Sequence, residues 1–173
     1  MLRSRLAVYL VVLPAAFFGS FFVTLWLTEP QPPPPPDNRS DAERLAATPI
    51  SDGSDLAKAA QSAKLTVSRR LLGNVDAVRR IDERDVTASG WAADREGDAT
   101  PLEVLVFVGG PLVAAIRTKG ERPDVTTAVR LGFGAEKNVA FAVNFECRRG
   151  AQPVIVVLGK ERQYLPMPSA RCP

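Results

Sequence analysis

Residues 6–27 read LAVYLVVLPAAFFGSFFVTLWL, 22 positions without a charged side chain. A run of that length commits the chain to lipid. At about 1.5 Å per residue, one helix of it crosses the roughly 30 Å hydrocarbon core of a bilayer. Arg3 and Arg5 precede the run, while Glu29, Asp37 and Asp41 follow it. Positive charge is held on the cytoplasmic side. The expected order is therefore a cytoplasmic tip (1–5), a transmembrane helix (6–27), and all later residues outside the cytoplasm. Trp26 fits the outer aromatic belt, and Pro14 should kink the span without abolishing it. The rival reading is a cleaved signal peptide. Its apolar core would be about 7–15 residues and would end at a small-x-small site. This run is longer, and its exit, Thr24 to Thr28, offers no such site. An uncleaved anchor is expected.

Within the span, Ala15 and Gly19, and Ala16 and Ser20, form two small-xxx-small pairs. Such pairs let helix backbones approach, so they are candidates for association with a second copy or with a partner's helix. Small residues are also common in membrane helices generally.

Pro30 and Pro32 to Pro36 come next. A run of this kind is an extended polyproline II spacer, at about 3.1 Å per residue. Residues 37–64 are rich in Ala, Ser and Asp and hold few large apolar side chains, too few to bury a core of their own. Ser40-x-x-Glu43 is a capping box, and Ser54 is placed to cap a second short helix over Asp55–Ala63. Both helices are too short to stand alone. The expectation for 28–64 is a linker, stiff and then flexible.

From residue 65 to 173 the hydrophobic period changes to two. Val139, Phe141, Val143 and Phe145 alternate with Ala140, Ala142 and Asn144, the signature of a strand with one buried face. Leu102, Val104, Val106 and Val108 form a second such face, with Leu105 and Phe107 opposite, so that strand should be covered on both sides. Val154–Leu158 is a short, continuous apolar run. Strands are also expected over Leu72–Ile81, Val86–Ala93, Leu112–Ile116 and Gln163–Met167. Gly109-Gly110 suits a two-residue hairpin, with Pro111 starting an edge strand. Arg148-Arg149-Gly150 and Gly159-Lys160-Glu161 read as two further hairpins. Only 122–129 departs, as a helical turn begun by Pro123. About seven short strands with regular turns predict an all-β, antiparallel sandwich.

The residues Gly90-Trp91-Ala92-x-Asp94, Pro101, Val104-x-Val106, Gly110, Val113 and Arg122-Pro123-Asp124-Val125 together resemble the Ig-like β-sandwich module of bacterial surface proteins, also found appended to some glycosyltransferases. The resemblance implies an Ig-like sandwich with a non-catalytic accessory or binding role. It transfers no catalytic residues.

Chemistry is narrowed by what the chain lacks. It has no His and only two Cys. This removes the imidazole general base, the Ser-His and Cys-His dyads, and four-thiolate metal sites. No cofactor and no enzyme activity are expected. The formal charge of +3 is spread over pairs such as Arg69-Arg70, Arg79-Arg80 and Arg148-Arg149. The first two pairs run into the acidic stretch of Asp76, Asp82, Glu83 and Asp85. No basic stripe of a nucleic-acid binder is present.

The candidate binding residues are Trp91, Asp94, Arg122 and Asp124. Trp91 is read first as sandwich core and second as an exposed platform able to stack on a sugar. Arg122 and Asp124 are read first as fixing the helical turn. Asp94, Glu96, Asp98 and Glu103 match no calcium loop and read as a solvated acidic turn. Cys147 and Cys172 are expected to form a disulfide. The anchor puts both outside the cytoplasm, and two antiparallel passes after Cys147 return the chain to the same edge. The functional expectation is an interaction or assembly module on the bacterial inner membrane, its C-terminal domain in the periplasm. Its partner is a protein or a second copy, and the alternative is a carbohydrate- or peptidoglycan-binding module.

Overall fold

In the computed structural model, residues 39–96, 100–129, 138–169 and 171–173 are described. The expected transmembrane run 6–27, with Ala15, Ala16, Gly19 and Ser20, lies outside them. Among the described residues no helix is long and apolar enough to cross a membrane.

The period-two segments form two sheets. Strands β2 (Leu71–Arg80), β3 (Asp85–Asp94) and β6 (Ala140–Glu146) make an antiparallel sheet in the order β2-β3-β6. Strands β1 (Thr66–Val67), β4 (Glu103–Phe107), β5 (Leu112–Arg117), β7 (Val154–Leu158) and β8 (Gln163–Met167) make the other, in the order β1-β8-β7-β4-β5. Among the strands of the described residues only β1 and β8 pair in parallel, and an isolated parallel bridge joins Gly120 to Asn138. Strand β1, two residues long, is the one strand that the sequence reading does not contain. The expected helical turn is α3 (Pro123–Val129).

Alternation places Val86, Ala88 and Ala92 of β3 and Phe141, Val143 and Phe145 of β6 against Val104 and Val106 of β4 and Ile155 and Val157 of β7. This is the core between the sheets, built because every second side chain of each strand faces inward. The expectation that β4 is covered on both faces is met. Leu105 and Phe107 point the other way into a second core with Val156, Leu158 and Tyr164.

That second core corrects the reading of residues 39–64 as a flexible tether. Helices α1 (Asp41–Ala46) and α2 (Gly53–Ser62) lie on the outer face of the five-stranded sheet and fill the second core with Leu45, Leu56, Ala59 and Ala60, joined by Ile50 from the segment between them. The compact unit runs from Arg39 to Pro173, so it begins well before residue 65. The segment is indeed too poor in apolar residues to make a core alone. The sheet supplies the other wall, and each fully buried Leu or Ile contributes roughly 2–3 kcal/mol.

The helix signals divide. The Ser40–Glu43 capping box forms, with Glu43 N–H donating to Ser40 Oγ (3.2 Å) and Ser40 N–H donating to a Glu43 carboxylate oxygen (2.6 Å). In α2 the cap is Asp52, not Ser54; its carboxylate accepts from the N–H groups of Ser54 (2.8 Å) and Asp55 (2.9 Å). A carboxylate two residues earlier outcompetes the hydroxyl because it reaches two orphan donors and carries negative charge at the positive end of the helix.

Of the expected hairpins, two form. Gly109 and Gly110 link β4 to β5 with positive φ at both positions (62° and 121°). Between β7 and β8 the left-handed pair is Glu161 and Arg162, one residue later than read. Arg148-Arg149-Gly150 is not a hairpin, because β6 and β7 belong to different sheets and the chain crosses between them there. The turn signal is real, since Gly150 has φ of 80°. A turn signal alone does not say which sheet the next strand joins.

The disulfide is formed. Cys147 and Cys172 are joined, with Cα atoms 6.3 Å apart, and both are buried in the core between the sheets. Backbone bonds fasten the same place: Gly150 N–H donates to Cys172 O (2.9 Å) and Cys172 N–H to Ala151 O (2.8 Å).

Candidate functional site

Strand β3 is the middle of the three-stranded sheet, and its outward residues are Asp85, Thr87, Ser89 and Trp91. Trp91 is half-buried and belongs to neither core. The reading of Trp91 as core is therefore corrected. The alternation that buries Ala88 and Ala92 turns the residues between them outward. Its direct cross-strand neighbours are Asn74 on β2 and Ala140 on β6.

Two local features shape this end of the sheet. Gly90 faces the core, where a Cβ would sit 2.2 Å from Asn74 O and 2.7 Å from Phe141 Cζ. Only glycine allows β2 and the Phe141 ring this close. Opposite Gly90 the register of β2 slips between Val75 and Ala77, which makes Asp76 the extra residue of a β-bulge. A bulge re-aims the side chain it carries. Asp76 is exposed, and its carboxylate accepts from Asn74 Nδ2 (3.0 Å).

Arg122 arrives from the other side. Lys119 N–H donates to Ala140 O, so the chain leading to α3 runs beside the start of β6. The Arg122 guanidinium donates through Nε and Nη2 to both oxygens of Asp124 (2.9 and 2.7 Å) and through Nη1 to Asp76 (2.7 Å). One cation thus ties α3 to β2 across the level of Trp91. A guanidinium fork matches two carboxylates in a way an ammonium does not. The bidentate bond from Arg122 holds the Asp124 carboxyl down to about 2, and the two carboxylates raise Arg122 above its ordinary value.

Three of the four candidates, Trp91, Arg122 and Asp124, are therefore brought to one end of one sheet. Asp94 is not. Its carboxylate faces Arg70 (3.2 Å), which also pairs with Glu96 (3.4 Å), and Asp94 chiefly raises the Arg70 guanidinium. It lines a separate cleft of about 320 Å³ with Asp41, Glu103, Arg117 and Lys160. Glu103 pairs in register with Arg117, and Asp98 lies outside the described residues. Among those residues no group of acids is placed to hold a metal ion. Asn74 and Asp76, which complete the Trp91 cluster, are not among the candidate residues of the sequence reading, where Asp76 enters only as part of an acidic stretch. The faint signal for them is Asn74-x-Asp76 at period two on a polar face.

Further along the outward face, Thr87 Oγ1 donates to Asn144 Oδ1 (2.7 Å). Ser89 lies between Ala77 and Ala142. No family model matches the chain, and no curated protein or solved structure matches it.

Proposed function

We propose that the chain is a non-catalytic, membrane-anchored module that presents an Ig-like sandwich in the periplasm and acts as an interaction or assembly subunit of a bacterial envelope complex. The observation that carries this reading is the Cys147–Cys172 bond, a linkage that persists in oxidising compartments. It agrees with the charge bias around residues 6–27, which sends everything after them out of the cytoplasm. The Ig-like part is supported by strand order. Strands β2, β3 and β6 stand first, second and fifth among the seven long strands, and face β4 to β8 minus β6. This is the Ig division with its fourth strand moved to the opposite sheet.

The experiment is crosslinking of the full chain in native membranes, with identification of the captured chain. Recovery of a discrete envelope protein, or of a second copy, through residues after Arg39 supports the reading. A domain that is captured by nothing and is protected inside the cytoplasm overturns it.

A second reading, a carbohydrate- or peptidoglycan-binding module, is favoured by one observation. Trp91 stands on the outward sheet face beside the hydrogen-bonded Asn74 and Asp76 and outside both cores. Saturable change of its fluorescence with glycan fragments tests it.

A further inference from the structure

We infer that the free edge of β6 is the joint of a two-fold homodimer, in which the β6 strands of two copies pair antiparallel about Asn144 and join their three-stranded sheets into one. The inference rests on the assembly reading and narrows its partner to a second copy of this chain.

Strand β6 is the one unguarded edge among the described strands. Native sheets discourage pairing at their edges with bulges, prolines, cations or short strands. The other edge strands, β1, β2 and β5, carry such devices. Strand β2 slips register at Asp76 and ends in Arg79 and Arg80. Strand β5 follows Pro111, slips register beside Phe107 and ends in Arg117. Strand β1 is two residues long. Strand β6 reads AFAVNFE, with unbroken register against β3 and neither proline nor cation.

Its backbone already faces outward at alternate positions. Ala140 N–H donates to Gly120 O (3.3 Å) and Ala140 O accepts from Lys119 N–H (2.7 Å), so Ala140 bonds away from β3. Every second residue of an antiparallel ladder does the same, which assigns Ala142, Asn144 and Glu146 to the edge. Among the described residues their edge-facing N–H and C=O groups have no backbone partner, and all three residues are exposed. Lys119 and Gly120 close one end of this stretch. The turn at Arg148 closes the other and carries that cation out of the sheet.

The open stretch is self-complementary. A two-fold axis at Asn144 sets Asn144 against its copy and Ala142 against the copy's Glu146, which uses every free backbone group. On the inner face Phe145 meets the copy's Val143, an aromatic–β-branched cross-strand pair. Charge favours a second copy over a foreign strand. Asp85 and Glu146 stand directly opposite each other in register, a like-charge pair that destabilises a sheet. Among the described residues neither carboxylate has an ion-pair partner, and Lys119 has none. Arg79, Arg84 and Arg148 make no ion pair with them. Within one chain Lys119 and Glu146 lie at opposite ends of the open stretch. The two-fold brings Glu146 of each copy beside Lys119 of the other.

The test is mild oxidation of the full chain in native membranes. Asn144→Cys is expected to give a covalent dimer, because hydrogen-bonded partners stand about 5.5 Å apart, within disulfide reach. Ala142→Cys should give none, since its copies would lie about 14 Å apart along the strands. In the Asn144→Cys background, Lys119→Glu or Glu146→Lys alone should cut the yield about threefold, and the two together should restore it. Rescue of this kind cannot arise within one chain. Failure of Asn144→Cys to link, equal linkage of Ala142→Cys, or absence of rescue overturns the inference. Linkage of Asn144→Cys to a different protein also overturns it, and leaves the assembly reading standing.

Discussion

Gly90 shows how one missing side chain can carry a whole end of a sheet. With Asn74 O at 2.2 Å from where a Cβ would stand, the obstacle is backbone and cannot rotate away. Gly90→Ala is expected to destabilise the domain by about 3 kcal/mol, read as a lowered midpoint in urea unfolding. It should also disturb Trp91 fluorescence, because the strand must shift. Asp124 makes a prediction about pH. Its folded value is depressed by Arg122 to about 2, below an unfolded value near 4. The contribution is therefore fully present above about pH 4 and is lost as pH falls through about 2. The unfolding temperatures of the native protein and of Asp124→Asn should differ at neutral pH and converge across that window. The sequence exposes Trp91, Arg122 and Asp124 as residues worth weighing. It cannot show that Arg122 would reach Asp76, because that contact depends on a register slip within β2 and on a crossing 46 positions long. Nor does period two say whether Trp91 looks in or out until Ala88 and Ala92 are known to look in.

Among the elements, α2 ends in a way that can be improved. Leu65 N–H donates to Ala60 O and Lys64 N–H to Gln61 O, the paired bonds of a Schellman motif. The residue in the left-handed position is Lys64, with φ of 57°. Lys64→Gly is expected to stabilise the domain by about 0.5–1 kcal/mol, since glycine takes that conformation without steric cost, and a thermal melt reads the gain. Leu56, 2% exposed against the outer face of the five-stranded sheet, tests the helical layer itself. Leu56→Ala is expected to cost about 2–4 kcal/mol, where a flexible tether would show no change. The strands were legible at almost every turn, because alternation is a local property. The layer of α1 and α2 was not. Its few apolar residues mean little until Leu105, Phe107, Val156 and Leu158 are seen to need covering, and the surplus apolar face of β4 was the one sequence sign of that need.

At the scale of the molecule, the Cys147–Cys172 bond closes a loop with a separation of 25 residues. In the chain-entropy account such a loop is worth about 3–4 kcal/mol. Reduction, or the double substitution Cys147→Ser with Cys172→Ser, should lower stability by that order in a denaturant titration. Thiol labelling of protein isolated without reductant should find no reactive cysteine before reductant is added. The bond joins the end of β6 in one sheet to the tail that follows β8 in the other. Arg80 donates to Pro173 O from β2 at the same place. Loosening the tail should therefore be felt by both sheets together, as one unfolding transition instead of two.

The five-stranded sheet is a partition with a tenant on each side. Whoever prepares a fragment of this protein inherits that arrangement. A cut made where the strands begin, at Leu65, would evict one tenant and leave Leu105, Phe107, Val156, Leu158 and Tyr164 facing water. That is a contiguous apolar surface, a recipe for sticking to its own kind. The sensible place to start a fragment is Arg39, where α1 and α2 travel with the sheet they cover.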